Sequence, residues 1–217
     1  MKFLVLCCVF LMSPMAAFAQ EPQEIIEPIS IKIFIGIDPI HPISRERMVR
    51  VAAELAHDLE QNIALLSVTY SEPTVLPWSM FLSDREQARM LQKQYGTYDL
   101  YVLFSNREGN CETIKPILFL DCRWFGSEIL GVAAIEKRIA YVFNFDMNAI
   151  LHHTSGVSWQ LGTSRHEIGH LIGVRHSSDK ESFMFGTSGE SNGKWTSFDS
   201  WIFRLQLEDF VAKRKKR

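Results

Sequence analysis

The chain has 217 residues, with 23 Lys and Arg against 25 Asp and Glu, and 47% of its residues are hydrophobic. Such a length and apolar content suit one domain with a well-buried core. The near balance of charge removes any general case for nucleic-acid binding.

Residues 1 to 19 are built like a secretory signal. Lys2 supplies the charged start, Phe3 to Met12 the apolar centre, and Ala17-Phe18-Ala19 the small-residue cleavage site. The apolar run is too short for a transmembrane anchor, and Ser13-Pro14 interrupts it. The expectation is an exported, monomeric protein of residues 20–217 with no transmembrane anchor. Removal of the signal takes Cys7 and Cys8 with it and leaves Cys111 and Cys122. An even pair in an oxidising compartment predicts a disulfide between them; two buried free thiols are the alternative.

Ile31, Ile33, Ile35 and Ile37 recur with period two, which predicts a strand ending near Asp38. Ser44 then reads as the N-cap of a long helix carrying Met48, Ala52, Leu55 and Leu59 on one face. Ile63 to Tyr70 reads as a second strand, followed by a loop through Pro73 and Pro77. Ser83 and Glu86 make a capping box for a helix reaching about Tyr95, and Asp99 to Phe104 is a further strand. Ile114 to Asp121 and Arg138 to Phe145 have strand composition. His152 and His153 are read as exposed loop histidines, and His41 and His57 have no ligand spacing.

Chemistry concentrates in His166-Glu167-Ile168-Gly169-His170-Leu171-Ile172-Gly173-Val174-Arg175-His176. On a helix running from about Ser155–Ser158 to Ile172, His166 and His170 share a face and can share one cation. Glu167 sits one step round, where its carboxylate can take a proton from a metal-bound water without ligating the metal. Gly173 can adopt the left-handed conformation that ends a helix and brings His176 back as a third ligand. Three protein nitrogens leave a fourth tetrahedral position open, which is the mark of a catalytic zinc site. A Gly- and Ser-rich loop, 186–193, follows. Ser197 then reads as the cap of a last helix carrying Ile202, Leu205 and Phe210 behind the site. The closing Lys213-Arg214-Lys215-Lys216-Arg217 run reads as a solvated tail.

This HExxHxxGxxH string resembles the signature of the metzincin clan of zinc endopeptidases, whose second hallmark is a methionine-bearing turn. Ser182-Phe183-Met184-Phe185-Gly186 supplies that turn, and Ser177 with the spacing of Met184 is similar to matrixins. The matrixin Pro-Arg-Cys-Gly switch is missing, Gly186 stands where matrixins carry proline, and archaemetzincins carry four further cysteines that this segment lacks. The resemblance implies an α+β fold: a twisted mixed sheet with two helices in an N-terminal subdomain, then a zinc helix, a Met-turn and a C-terminal helix. It implies one catalytic zinc held by His166, His170 and His176, Glu167 as general base, Met184 beneath the metal, and protein or peptide substrates. Calcium stays open, because Asp99, Asp121 and Asp146 form no run of oxygen ligands. It further implies that Arg138 to Phe145, entered through Gly131-Val132-Ala133, is the sheet edge bordering the cleft, where an extended peptide could add. Two rival classes are a zinc-bearing binding module without turnover and a hydrolase of non-peptide substrates.

Overall fold

The computed structural model describes residues 27–118, 129–143, 159–186 and 194–215. The signal segment, Cys122, His152 and His153, the expected start of the histidine helix and most of the loop after Met184 lie outside them.

The isoleucine alternation forms β1 (Ile29–Ile37), and Ser44 caps α1 (Arg45–Asn62) by accepting from the Arg47 amide. Helix α1 ends at Ile63, and Leu65 is left-handed (φ 54°), so β2 (Leu66–Tyr70) begins later than expected. The proline-rich loop contributes a short β3 (Thr74–Val75). Ser83 and Glu86 open α2 (Asp84–Tyr95) with the expected reciprocal cap, and β4 (Leu100–Phe104) follows. Next come β5 (Gly131–Ala134), β6 (Ile139–Val142), the histidine-bearing helix (Trp159–Ile172) and the last helix (Ser197–Lys215).

Between β4 and β5 the expectation fails at Ile114. Cys111–Leu118 is helix α3 and no strand, which makes the histidine helix α4 and the last one α5. Asn110 caps α3 by accepting from the Thr113 amide at 3.0 Å, while Ile114 and Ile117 are buried and Lys115 and Pro116 are exposed. That is helical spacing, and the apolar count alone hid it. The segment before α4 therefore carries three described helices, one more than the resemblance implied.

The sheet order is β2-β1-β4-β6-β5, with β3 also paired to β1; β5 alone is antiparallel. Among the described residues strand β6 is interior, so the edge is β5 and not the Arg138 to Phe145 run, whose last two residues lie outside them. A 3-10 turn at Ile135–Lys137 and a left-handed Arg138 (φ 59°) reverse the chain between the two strands, which turns the expected lead-in into the border. At the opposite edge the Val68 amide donates to the Glu60 carboxylate at 2.7 Å.

Alternation divides the core between the two faces. Ile31, Val102 and Val142 pack towards α1, α4 and α5, whereas Phe34, Tyr101 and Tyr141 pack with residues of α2 and α3. Helix α5 is capped by Thr196 and not Ser197, through a reciprocal pair with Asp199. Its buried face is Phe203, Leu207 and Phe210, while Leu205 is exposed. The basic run is no detached tail over its described part. Lys213 pairs with Asp209, and Arg214 reaches Asp99 beside the sheet. Among the described residues, no helix is long and apolar enough to cross a membrane.

Candidate metal centre

Helix α4 carries His166 and His170 one turn apart, with ring centroids 4.7 Å from each other. The helix ends at Gly173 (φ +105°), where a side chain would be strained and would lie 2.9 Å from Gln206 Oε1. The reversal delivers His176. The three Nε2 atoms then stand 3.1 Å (His166 to His170), 3.0 Å (His170 to His176) and 3.3 Å (His166 to His176) apart.

Backbone carbonyls set the ring orientations. His166 Nδ1 lies 2.8 Å from the Phe183 carbonyl, and His170 Nδ1 lies 2.9 Å from the Val174 carbonyl on the turn that Gly173 makes. With those nitrogens donating, each Nε2 turns its lone pair towards the common centre. Three lone pairs crowded together repel unless a cation sits among them. Zinc–nitrogen bonds of 2.0–2.1 Å in a tetrahedron put neighbouring nitrogens about 3.3 Å apart, so the donor set fits zinc in both chemistry and spacing. Among the described residues this is the one cluster of three or more ligand-type side chains that could hold a metal ion.

Electrostatics suit the same purpose. Burial, with the neighbouring His170, His176 and Arg165, lowers His166 to about 4, and burial also lowers His170. Both imidazoles are neutral near pH 7, as ligation requires. Glu167 is 6% exposed, and burial raises its carboxyl to about 8. It lies directly under the sheet edge: a Cβ on Gly131 would stand 2.7 Å from Glu167 Cγ and Oε1.

Met184 is buried, and a Cβ on Gly169, the residue before His170, would come within 2.6 Å of its sulfur. The turn that carries it is held from below. Ser182 Oγ donates to Asp199 at 2.6 Å and accepts from the Met184 amide at 3.0 Å, while the Ser177 amide donates to the Met184 carbonyl at 2.8 Å. The structure thus brings together every expected site residue of the motif and the turn. Cys111 opens α3 and is not among the clustered ligand-type side chains, and its expected partner Cys122 is outside the described residues.

Sequence reasoning missed Gly131, Asp199, and a buried group formed by Arg165, Asp58 and Trp195. Arg165 carried a signal, since it falls at core spacing between Leu161, Ile168 and Ile172, where a charged residue needs a partner. Asp199 carried one too, at capping-box spacing from Thr196, whereas no local pattern marks the contacts of Gly131, Asp58 and Trp195.

No protein-family model matches the chain, and no curated protein matches its sequence. Among solved structures it is similar to an archaemetzincin from Methanopyrus kandleri, with a TM-score of 0.55 and 14% identity over 83% of this chain and 96% of that one. It is also similar to a zinc-dependent peptidase from Methanocorpusculum labreanum, with a TM-score of 0.49 and 16% identity over 81% and 99% of the two chains. The first likeness establishes a shared fold; the second is too distant to add to it. The fold shared is that of an archaemetzincin, the group from which the missing cysteines separate this sequence.

Proposed function

We propose that the chain is an exported zinc metallopeptidase of the metzincin-like clan, acting as an endopeptidase on proteins or peptides. The convergence of three Nε2 atoms within 3.3 Å, with a buried carboxylate from the next residue of the same helix, carries this reading. His166, His170 and His176 would hold one zinc ion, which supplies Lewis acidity and acidifies water at its open position. Glu167 accepts the proton of the attacking water and returns it to the leaving amine. In the metal-free protein burial raises this carboxyl to about 8, so the pocket favours its proton-bearing form and can hold a proton taken from water until the amine leaves. Strand β5, which pairs only with β6 among the described residues, offers its outer backbone groups to an extended substrate. Matrixin-like affinity is the finer assignment, supported by Ser177 and the spacing of Met184.

Glu167→Gln tests the reading. Zinc content by elemental analysis should stay near one per chain, while cleavage of denatured protein falls at least about a hundredfold, the usual contribution of general-base catalysis. Full cleavage by the variant removes Glu167 as the base. A wild-type chain that binds zinc without cutting any peptide substrate is instead a binding module or a hydrolase of another bond.

A further inference from the structure

We propose that Arg165 and Asp58 form a positioning pair for the His166 ligand, acting through the Phe183 carbonyl; this rests on the zinc reading above. Arg165 is 1% exposed. Burying a guanidinium is costly and is normally met by engaging its donors. Here Nη1 is engaged, 3.3 and 3.2 Å from the two Asp58 oxygens, and among the described residues Nε and Nη2 have no hydrogen-bond partner. The cation has ring faces instead: its Cζ lies 4.6 Å from the Phe183 centroid and 5.6 Å from that of Trp195. Trp195 Nε1 in turn donates to Asp58 Oδ2 at 2.9 Å, so one carboxylate of α1 fixes both the cation and a ring.

Phe183 is the residue whose carbonyl receives the His166 Nδ1–H. Its ring is gripped by Arg165, by Trp195 at 4.5 Å and by Phe203 at 5.3 Å, and its amide donates to the Lys194 carbonyl at 3.1 Å. Asp58 therefore controls, through a planar cation, the carbonyl that aims one ligand. A pair serving stability alone would behave differently. Replaced by apolar residues of similar volume, such buried pairs often leave stability unchanged, and metal affinity would then be unchanged as well.

The experiment is a zinc titration of the full chain against a competing chelator, with denaturant unfolding of the metal-free protein in parallel. For the double variant Asp58→Leu/Arg165→Met, zinc should bind about ten to a hundredfold more weakly, the usual effect of losing an outer partner of a ligand. The metal-free unfolding midpoint should change little, and the absorption bands of the cobalt-substituted protein should shift. Arg165→Lys, which keeps the charge but not the plane, should fall between. Trp195→Phe is the milder variant should the double fail to fold, and it should weaken zinc severalfold. Wild-type affinity and an unshifted cobalt spectrum in either folded variant overturn the proposal. Failure of the wild-type chain to bind zinc overturns the metal reading instead.

Discussion

Glu167 and Gly131 are locked together by contact. With a Cβ on residue 131 only 2.7 Å from Glu167 and 2.8 Å from Thr163 Cγ2, alanine there forces either the carboxylate or the strand aside. Displacing a catalytic group by about an ångström can cost about a hundredfold in rate. Gly131→Ala is therefore expected to lose activity on that order while zinc content holds, as paired assays of turnover and bound metal would reveal. The same burial has a signature in pH. In the metal-free protein Glu167 titrates at about 8, against 4.5 when unfolded, so over that window the folded state holds a proton that the unfolded state has lost. Stability must then fall as pH rises through the window. Between about pH 7.5 and 8.5, roughly a unit or more above the ordinary histidine value, His166 and His170 are neutral in the unfolded state as well as in the folded one, where their shifts are downward, which leaves Glu167 to set the slope. Urea midpoints should drop over that range in metal-free wild type and stay nearly level in Glu167→Gln; equal slopes would refute the burial account.

The turn that carries Met184 depends on how α5 begins. Asp199 is 1% exposed and accepts from Ser182 Oγ and from the amide and hydroxyl of Thr196. Asp199→Ala strips three donors of their acceptor and should cost at least about 2 kcal/mol, read as a lower urea midpoint. Elements whose signals are local were legible in the sequence. Ser44 and Ser83 cap the helices expected of them, and the isoleucine alternation gives β1. The three histidines meet because a helical repeat and one glycine suffice to gather them. Errors arose where a rival local choice competed. Strand-like composition concealed the helical spacing of Ile114 and Ile117, and Thr196 took the cap assigned to its neighbour. Position in the sheet was illegible, because a tight turn at Arg138, and not the composition of either strand, decides that β5 is the border. The Asp58–Arg165 pair spans 107 residues, a separation that no local pattern encodes.

The metal should stabilise the entire fold, since an ion bound only by the folded state adds about 4 kcal/mol when free zinc exceeds its Kd a thousandfold. Chelation should accordingly lower the melting temperature, and added zinc should restore it; no shift would mean that the site is empty in solution. Cys111 and Cys122, proposed as a pair, would close a loop worth about 2 to 3 kcal/mol by chain entropy. Reduction should lower the melting temperature without releasing zinc, because Cys111 is not part of the histidine cluster, and alkylation followed by mass spectrometry tells whether the thiols were bonded. Finally, the Glu60 carboxylate that caps the Val68 amide makes the sheet's two borders unequal. A stray strand meets an occupied donor there, and beyond it Pro73 and Pro77, which have none to give. Under the proposed function, recruitment of extended chain would thereby be polarised towards β5, the border that would feed a peptide to Glu167, and a single open border among the described strands would leave the molecule a poor template for stacking upon itself.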